Sequence, residues 1–251
     1  MPVLQSSSPE VLHTPMERQI YPSPVTNQEY LKGKPYTSCG ELAAYYRIQV
    51  AADEEGTASV AVTESMMQMW GITKEQLHKY AMQAAHARSP VCLYDMEEVM
   101  AESIFSVKPE NLFNREEPLD IGFVPIYILT NQDKLNGASV SAQEGVLEKV
   151  AELLGTNYYV LPSSIHELLI LPDNGSMQLS ELEAMVREVN ATQVAPEDRL
   201  SDKVQYYDRE TKLLQRGQEK SVLGRLSDKK AQLQQADHTA PKQPHRSEVS
   251  L

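Results

Sequence analysis

Apolar and polar positions alternate in the middle of the chain, and the alternation recurs in three similar units. Each unit contains two short runs of period two, which is the spacing of a strand with one buried face. The paired runs are residues 45–50 with 59–63, residues 126–130 with 138–141, and residues 158–162 with 166–171. Because a short segment joins the two runs of each pair, the pattern predicts three antiparallel β-hairpins.

A helical pattern follows each predicted hairpin. Residues 73–76 and 180–183 have the sequence of a capping box, in which side chains satisfy the first free backbone amides of a helix. Apolar residues recur every three or four positions over residues 145–155, and a further helix is predicted at residues 95–105. The chain is therefore predicted to be an α+β protein. We expect a mostly antiparallel sheet built from successive β-hairpins, each followed by a helix, with the helices on one face.

Composition divides the chain into three parts. Residues 1–35 contain six prolines among Ser, Gln and Thr and have no apolar period, which predicts a disordered arm. Residues 36–208 contain nearly all of the regular patterning and form a predicted single α+β domain. Residues 209–251 are poor in apolar side chains and predict a disordered, basic tail.

The formal net charge of −12 is unevenly distributed. Residues 211–251 contain eight Lys or Arg and four Asp or Glu, a net charge of +4, so the rest of the chain carries −16. An acidic body argues against a surface that covers nucleic acid or an anionic membrane. Weak nucleic-acid contact through the tail stays open as an alternative, although the tail has no aromatic residue on which a base could stack.

Several classes of protein lack their usual motifs here. No apolar run approaches the roughly 20 residues of a membrane-spanning helix, and the N-terminus does not look like a secretory signal. Neither glycine-rich phosphate-binding motif occurs, and Cys39 and Cys92 are too few for a disulfide framework. We therefore expect a cytoplasmic protein with no membrane contact, no cofactor, no metal and no catalytic residue.

One cluster of polar residues surrounds the last predicted strand. It consists of Ser163, Ser164, His166, Glu167 and Asp173. The His-Glu pair does not continue as a zinc-protease helix, because Ile stands at position 170 and the segment predicts a strand. Two hypotheses remain for this cluster. Either the His166 ring is held structurally by Ser163 or Ser164, or the five residues form a small-molecule-binding or hydrolytic site.

The tail contains one short apolar pattern, formed by Val222, Leu223 and Leu226 beside Arg225 and the basic pair at residues 229–230. One hypothesis is that this segment binds a protein partner and folds on binding. A partner could also bind the exposed face of the sheet. Composition alone favours a solvated tail.

Several segments resemble a known family. They are residues 42–47, 69–72 with 77–78, 127–131, the longest match at residues 159–173, and its continuation through residues 185–190, 194–197 and 200–202. In these segments the region of about residues 35–208 resembles DUF5688, a bacterial family of unknown function, and more distantly the YtpQ-like family. The resemblance implies a cytoplasmic bacterial protein, often encoded near mobile elements, and implies no reaction. Together with the missing motifs, it predicts a non-enzymatic interaction or accessory protein.

Overall fold

The computed structural model describes residues 20–26, 28–53, 56–121 and 125–218. Most of the predicted arm and the apolar tail residues Val222, Leu223 and Leu226 lie outside the described residues. No helix among the described residues is long and apolar enough to cross a membrane.

The first sheet is organised around one long central strand. Its strands are β1 (Ile20–Val25), β2 (Tyr36–Cys39), β3 (Leu42–Asp53) and β4 (Gly56–Ala61). All three shorter strands pair antiparallel with β3. Since β1 pairs with residues 43–48 on one edge, β2 and β4 share the other edge end to end. Helices α1 (Glu64–Trp70) and α2 (Lys74–Arg88) pack on the face that carries Tyr46 and Ile48.

The second sheet has six antiparallel strands in the order β10-β9-β7-β8-β6-β5. These strands are β5 (Val91–Asp95), β6 (Tyr127–Asn131), β7 (Tyr158–Leu161), β8 (Leu168–Pro172), β9 (Gln205–Asp208) and β10 (Leu213–Arg216). The remaining helices are α3 (Met96–Phe105), α4 (Val146–Leu154) and α5 (Leu179–Thr192). The α+β class, the antiparallel pairing and the first and third predicted hairpins are confirmed.

The helices of the second sheet lie on both of its faces. Along β7, Tyr158 and Val160 pack in the same core as α4, whereas Tyr159 and Leu161 pack in the same core as α5. Alternate residues of a strand point to opposite faces, so α4 and α5 cover opposite sides. The prediction of one sheet with all helices on one face is therefore wrong in these two details.

The second predicted hairpin does not form. Residues 138–141, predicted as a strand, lie in a buried 3₁₀ helix, Gly137–Ala142. The reason is that β5 and β8 already occupy both edges of β6, so no edge remains for a hairpin partner. Gly137 fits against β6 because it lacks a side chain; a Cβ there would collide with Thr130 Oγ1 and the His166 carbonyl. The predicted capping box at residues 180–183 is likewise two residues late, because Gln178 caps α5.

Two edge strands extend beyond the predicted domain bounds of 36 and 208. Strand β1 lies in the predicted arm, and Pro22 and Pro24 are compatible with it because β1 occupies an edge of its sheet. Strand β10 lies in the predicted tail and pairs with β9. Neither strand is apolar enough to show the alternation of a central strand.

Candidate ligand-binding cleft

A cleft of about 580 Å³ lies between the two sheets. Strands β1 and β3 form one wall, with Tyr21, Tyr45 and Arg47. The loop after β6 and the 3₁₀ helix form the other wall, with Asn136 and Ser139. This volume lies in the range of small-molecule sites, and the walls combine aromatic surface with a few polar groups. We call this feature the inter-sheet cleft.

Strand register brings the polar groups of the first wall together. Tyr45 and Arg47 are two residues apart on β3, so they share the face opposite to Tyr46. In the adjacent β1, Tyr21 pairs with Arg47 and Ser23 pairs with Tyr45. Cross-strand partners share a face, so these four side chains form one polar surface beside the cleft.

Arg47 is the most unusual group in this wall. Its guanidinium donates from Nη1 to the Tyr45 hydroxyl at 2.9 Å, from Nε to Ser59 Oγ at 2.9 Å, and from Nη2 to the Ser59 carbonyl at 3.1 Å. The side chain is half-buried. Across the part of the chain that the structure describes, no carboxylate lies within ion-pair distance of it. A partly desolvated cation without a counter-charge attracts an anion.

The neighbouring tyrosines are adapted to this cation. Burial would raise the pKa of Tyr45, but hydrogen bonds with Ser23, Tyr30 and Arg47 outweigh it and lower the pKa below its usual value. Burial would lower the pKa of Arg47, but hydrogen bonds with Tyr45 and Tyr21 raise it. The guanidinium therefore stays fully charged, and the phenol oxygens accept hydrogen bonds from it.

The second wall is fixed by turn chemistry. Asn131 ends β6 and closes the following turn, donating from Nδ2 to the Leu135 carbonyl at 2.9 Å and accepting at Oδ1 from the Leu135 amide at 3.1 Å. Asn136 follows with a positive φ of 52°, a conformation that Asn tolerates. Its Oδ1 accepts a hydrogen bond from Ser23 Oγ at 3.2 Å, which joins the two walls directly.

His166 lies directly behind the second wall. Its Nδ1 accepts the Asn136 amide proton at 3.3 Å, and its Nε2 lies 3.4 Å from Asp198 Oδ1. The ring is thus held by Asn136 and Asp198, whereas the expected partners were Ser163 or Ser164. Ser164 instead accepts at Oγ from the His166 backbone amide at 3.0 Å.

Asp173 lies away from His166. The two residues flank opposite ends of β8, whose five residues alone span about 16 Å. Asp173 accepts at Oδ2 from the Tyr206 hydroxyl at 2.8 Å and at Oδ1 from the Gly175 amide at 3.0 Å. The five predicted site residues therefore do not form one cluster.

The other members of the predicted cluster lie in the turn before β8. Ser163 and Ser164 are both buried, and the Ser163 carbonyl accepts from the Leu200 amide at 3.0 Å. Glu167 is half-buried in the same turn. Of the five residues, Ser164 and His166 are in hydrogen-bond contact, and a binding role for this set stays a prediction.

Residue spacing did not single out Arg47. The available signal was the alternation in residues 45–50, where a tyrosine, an arginine and a glutamine occupy the face opposite to Tyr46 and Ile48. The polar composition of that face is typical of a solvent-exposed strand face. Only the position of the second sheet shows that it borders a cleft. Among the described residues, no group of three or more His, Cys, Asp or Glu side chains could hold a metal ion.

The fold and the cleft define an α+β protein of two antiparallel sheets with a polar site between them. A family model described as a family of unknown function, DUF5688, matches residues 23–209. The chain therefore belongs to this uncharacterised family, and the match covers both sheets except for the start of β1 and strand β10. No curated protein and no solved structure matches the chain. The more distant resemblance to the YtpQ-like family stays a prediction.

Proposed function

We propose that this protein is a non-enzymatic accessory protein of the bacterial cytoplasm that binds a small organic anion in the inter-sheet cleft. The observation that carries this proposal is Arg47, a half-buried cation in the cleft wall with no carboxylate partner in the described part of the chain. Its positive charge, with the N–H group that Ser59, Tyr45 and Tyr21 leave free, suits one oxygen of a carboxylate or phosphate. An anionic group at this position would supply the missing counter-charge.

The outer lining of the cleft narrows the class of ligand. Asp133, Glu197 and Arg88 also line the cleft, and all three are exposed. The two carboxylates repel a ligand of high negative charge but stabilise an ammonium group. A zwitterion of amino-acid size, with its carboxylate at Arg47 and its amino group toward Asp133 and Glu197, satisfies both sets of charges.

The chemistry behind the second wall favours binding over catalysis. Nδ1 of His166 accepts a hydrogen bond from the Asn136 backbone amide, and Nε2 faces Asp198. Both ring nitrogens are therefore directed at protein groups and not into the cleft, where a nucleophile would have to be activated. The Ser139 hydroxyl in the cleft wall donates to the Asn136 carbonyl at 2.7 Å, so its proton is already used in a hydrogen bond within the protein.

The direct test is a binding screen of the full chain against amino acids, dicarboxylates and phosphorylated metabolites, read by thermal shift and followed by titration calorimetry. We expect an amino acid or a close analogue to bind. Arg47→Gln should weaken that binding about 10- to 100-fold, the usual value of a hydrogen bond to a charged group. Arg187→Gln is the matched control, because Arg187 is an exposed arginine on α5 outside the cleft.

Arg47 also holds Ser59 and Tyr45, so its loss could destabilise the sheet. Arg47→Lys retains the charge without the planar fork and should bind with intermediate affinity. The proposal is wrong if no compound in the screen binds, or if a ligand binds Arg47→Gln as tightly as the unmodified chain.

A further inference from the structure

Helix α3 presents a large apolar surface to solvent. None of its ten residues is buried. Met100 is 64%, Ile104 74% and Phe105 71% exposed, and Val107 just beyond the helix is 66% exposed. We call these four side chains the α3 face. Single exposed apolar residues are ordinary, but several large ones within eight positions mark a protein-binding surface.

The α3 face belongs to a well-formed helix. Asp95 caps the helix by accepting the Glu97 amide at 2.8 Å, and Ser106 ends it in the left-handed conformation with a φ of 56°. Lys134 Nζ lies 3.8 Å from a carboxylate oxygen of Glu102 and ties α3 to the loop after β6. Met100 and Ile104 are one turn apart, so they lie on the same side of the helix.

The charge around this face restricts its partner. Glu97 and Glu98 occupy the first turn of α3, and both are exposed. A partner must therefore bring apolar side chains for the α3 face and basic side chains for the two glutamates. A second α3 helix is a poor partner, because it contains no basic side chain to pair with these glutamates.

The C-terminal tail of this chain has the required chemistry. Residues 219–251 lie outside the described part of the chain. They include Val222, Leu223 and Leu226, followed by the basic pair Lys229 and Lys230. We propose that the α3 face binds residues 222–230 from the tail of a second copy of this chain. Apolar residues would cover Met100 and Ile104, and the lysines would pair with the first-turn glutamates.

The strand order favours the tail of a second copy over the chain's own tail. Strand β10 and strand β5, which α3 follows, are at opposite edges of the second sheet. Five inter-strand spacings separate them, which is about 24 Å. Leu223 is seven residues beyond the end of β10, and seven fully extended residues span only about 24 Å. The tail would have to run straight across the sheet to reach its own α3, whereas two copies can exchange tails reciprocally.

Isotope-coded cross-linking tests this proposal on the full chain. Equal amounts of ¹⁵N-labelled and unlabelled protein are mixed, and a zero-length carbodiimide joins lysines to adjacent carboxylates. We expect cross-links from Lys229 or Lys230 to Glu97 or Glu98, about half of them between differently labelled copies. Cross-links only within one copy, or none between these residues, would overturn the proposal.

A charge exchange provides an independent test by sedimentation velocity. Glu97→Lys with Glu98→Lys should raise the dissociation constant of the dimer at least tenfold, and so should Lys229→Glu with Lys230→Glu. Combining the four substitutions should restore dimerisation, which a merely misfolded helix would not do. Glu116→Lys with Glu117→Lys is the matched control on an exposed acidic pair outside α3. Failure of the combined variant to recover would count against the pairing.

Discussion

Helices α3 and α4 have almost the same apolar content but differ completely in burial. Six of the nine residues of α4 are buried, whereas none of the ten residues of α3 is. Both helices contain six apolar side chains. What differs is their place: α4 packs against the central strands β7 and β8, and α3 follows the edge strand β5. Apolar content therefore does not decide burial, and position in the sheet does.

The comparison also separates two roles for a helix. The apolar side chains of α4 lose contact with water when the chain folds, so they contribute to the free energy of folding. In α3, by contrast, Met100, Ile104 and Phe105 stay largely exposed to water in the single chain and would lose that water only when a partner binds. We therefore expect substitutions in α4 to act on stability and those in the α3 face to act on association.

The largest expected effect comes from shortening one side chain in each helix. Leu154 is 2% exposed, so Leu154→Ala leaves a cavity and should lower the free energy of unfolding by about 2–5 kcal/mol. Ile104→Ala should change it by no more than about 0.5 kcal/mol. Urea denaturation of the two variants at low protein concentration measures both values. Similar losses would show that α3 is packed as tightly as α4.

A smaller effect is expected for the hydrogen bond that joins α4 to its sheet. The buried Tyr158 hydroxyl donates to the Leu147 carbonyl at 2.9 Å. Tyr158→Phe should therefore lower the stability at neutral pH by about 1 kcal/mol. The same substitution at Tyr94, Tyr94→Phe, serves as the comparison for the loss of stability, because Tyr94 lies beside α3 and is only half-buried.

Tyr158 also makes the stability of the folded protein depend on pH. Burial, followed by the nearby Tyr207, holds the pKa of Tyr158 well above its ordinary value of 10. The folded protein retains the Tyr158 proton more tightly than the unfolded chain does. The contribution of this hydroxyl to the free energy of unfolding is therefore complete below pH 10 and is lost as the pH rises toward the folded pKa. Thermal melts above pH 10 should fall less steeply for Tyr158→Phe than for the unmodified chain. Parallel curves would contradict this assignment.

The smallest global effect is expected at the cap of α3. Asp95→Ala removes a cap of about 1 kcal/mol, but the helix has no buried residue through which the whole domain would sense the loss. Amide exchange in residues 96–105 should accelerate about fivefold while the melting temperature hardly changes. Thr73→Ala is the matched change in α2, whose Leu77 and Ala81 are buried, and there the melting temperature should fall.

The elements predicted best are those specified by neighbouring residues. The hairpins of β3 with β4 and of β7 with β8 follow from period-two alternation, and α2 begins at its predicted capping box. Strand β1 was missed because its two prolines argue against a strand anywhere except at an edge. Residues 138–141 were misassigned because their alternation also suits a buried 3₁₀ helix, and only the occupied edges of β6 distinguish the two.

The candidate site also depends on contacts that neighbouring residues do not specify. The sequence placed His166 and Asp173 in one cluster because they are close along the chain, and β8 separates them. Arg47 could be assigned to one face of β3, but its importance depends on the second sheet, which contributes Asn136 across the cleft. No local sequence pattern indicates which distant segment of the chain will pack opposite a given strand.

The α+β class, the order of most elements and the division between an acidic body and a basic tail can be predicted from local sequence, because propensity, periodicity and charge are properties of neighbouring residues. Long-range packing sets which helix is buried, which edges are paired and which polar face borders a cleft. Those outcomes depend on contacts between residues far apart in the chain, as in the bond from Ser23 to Asn136.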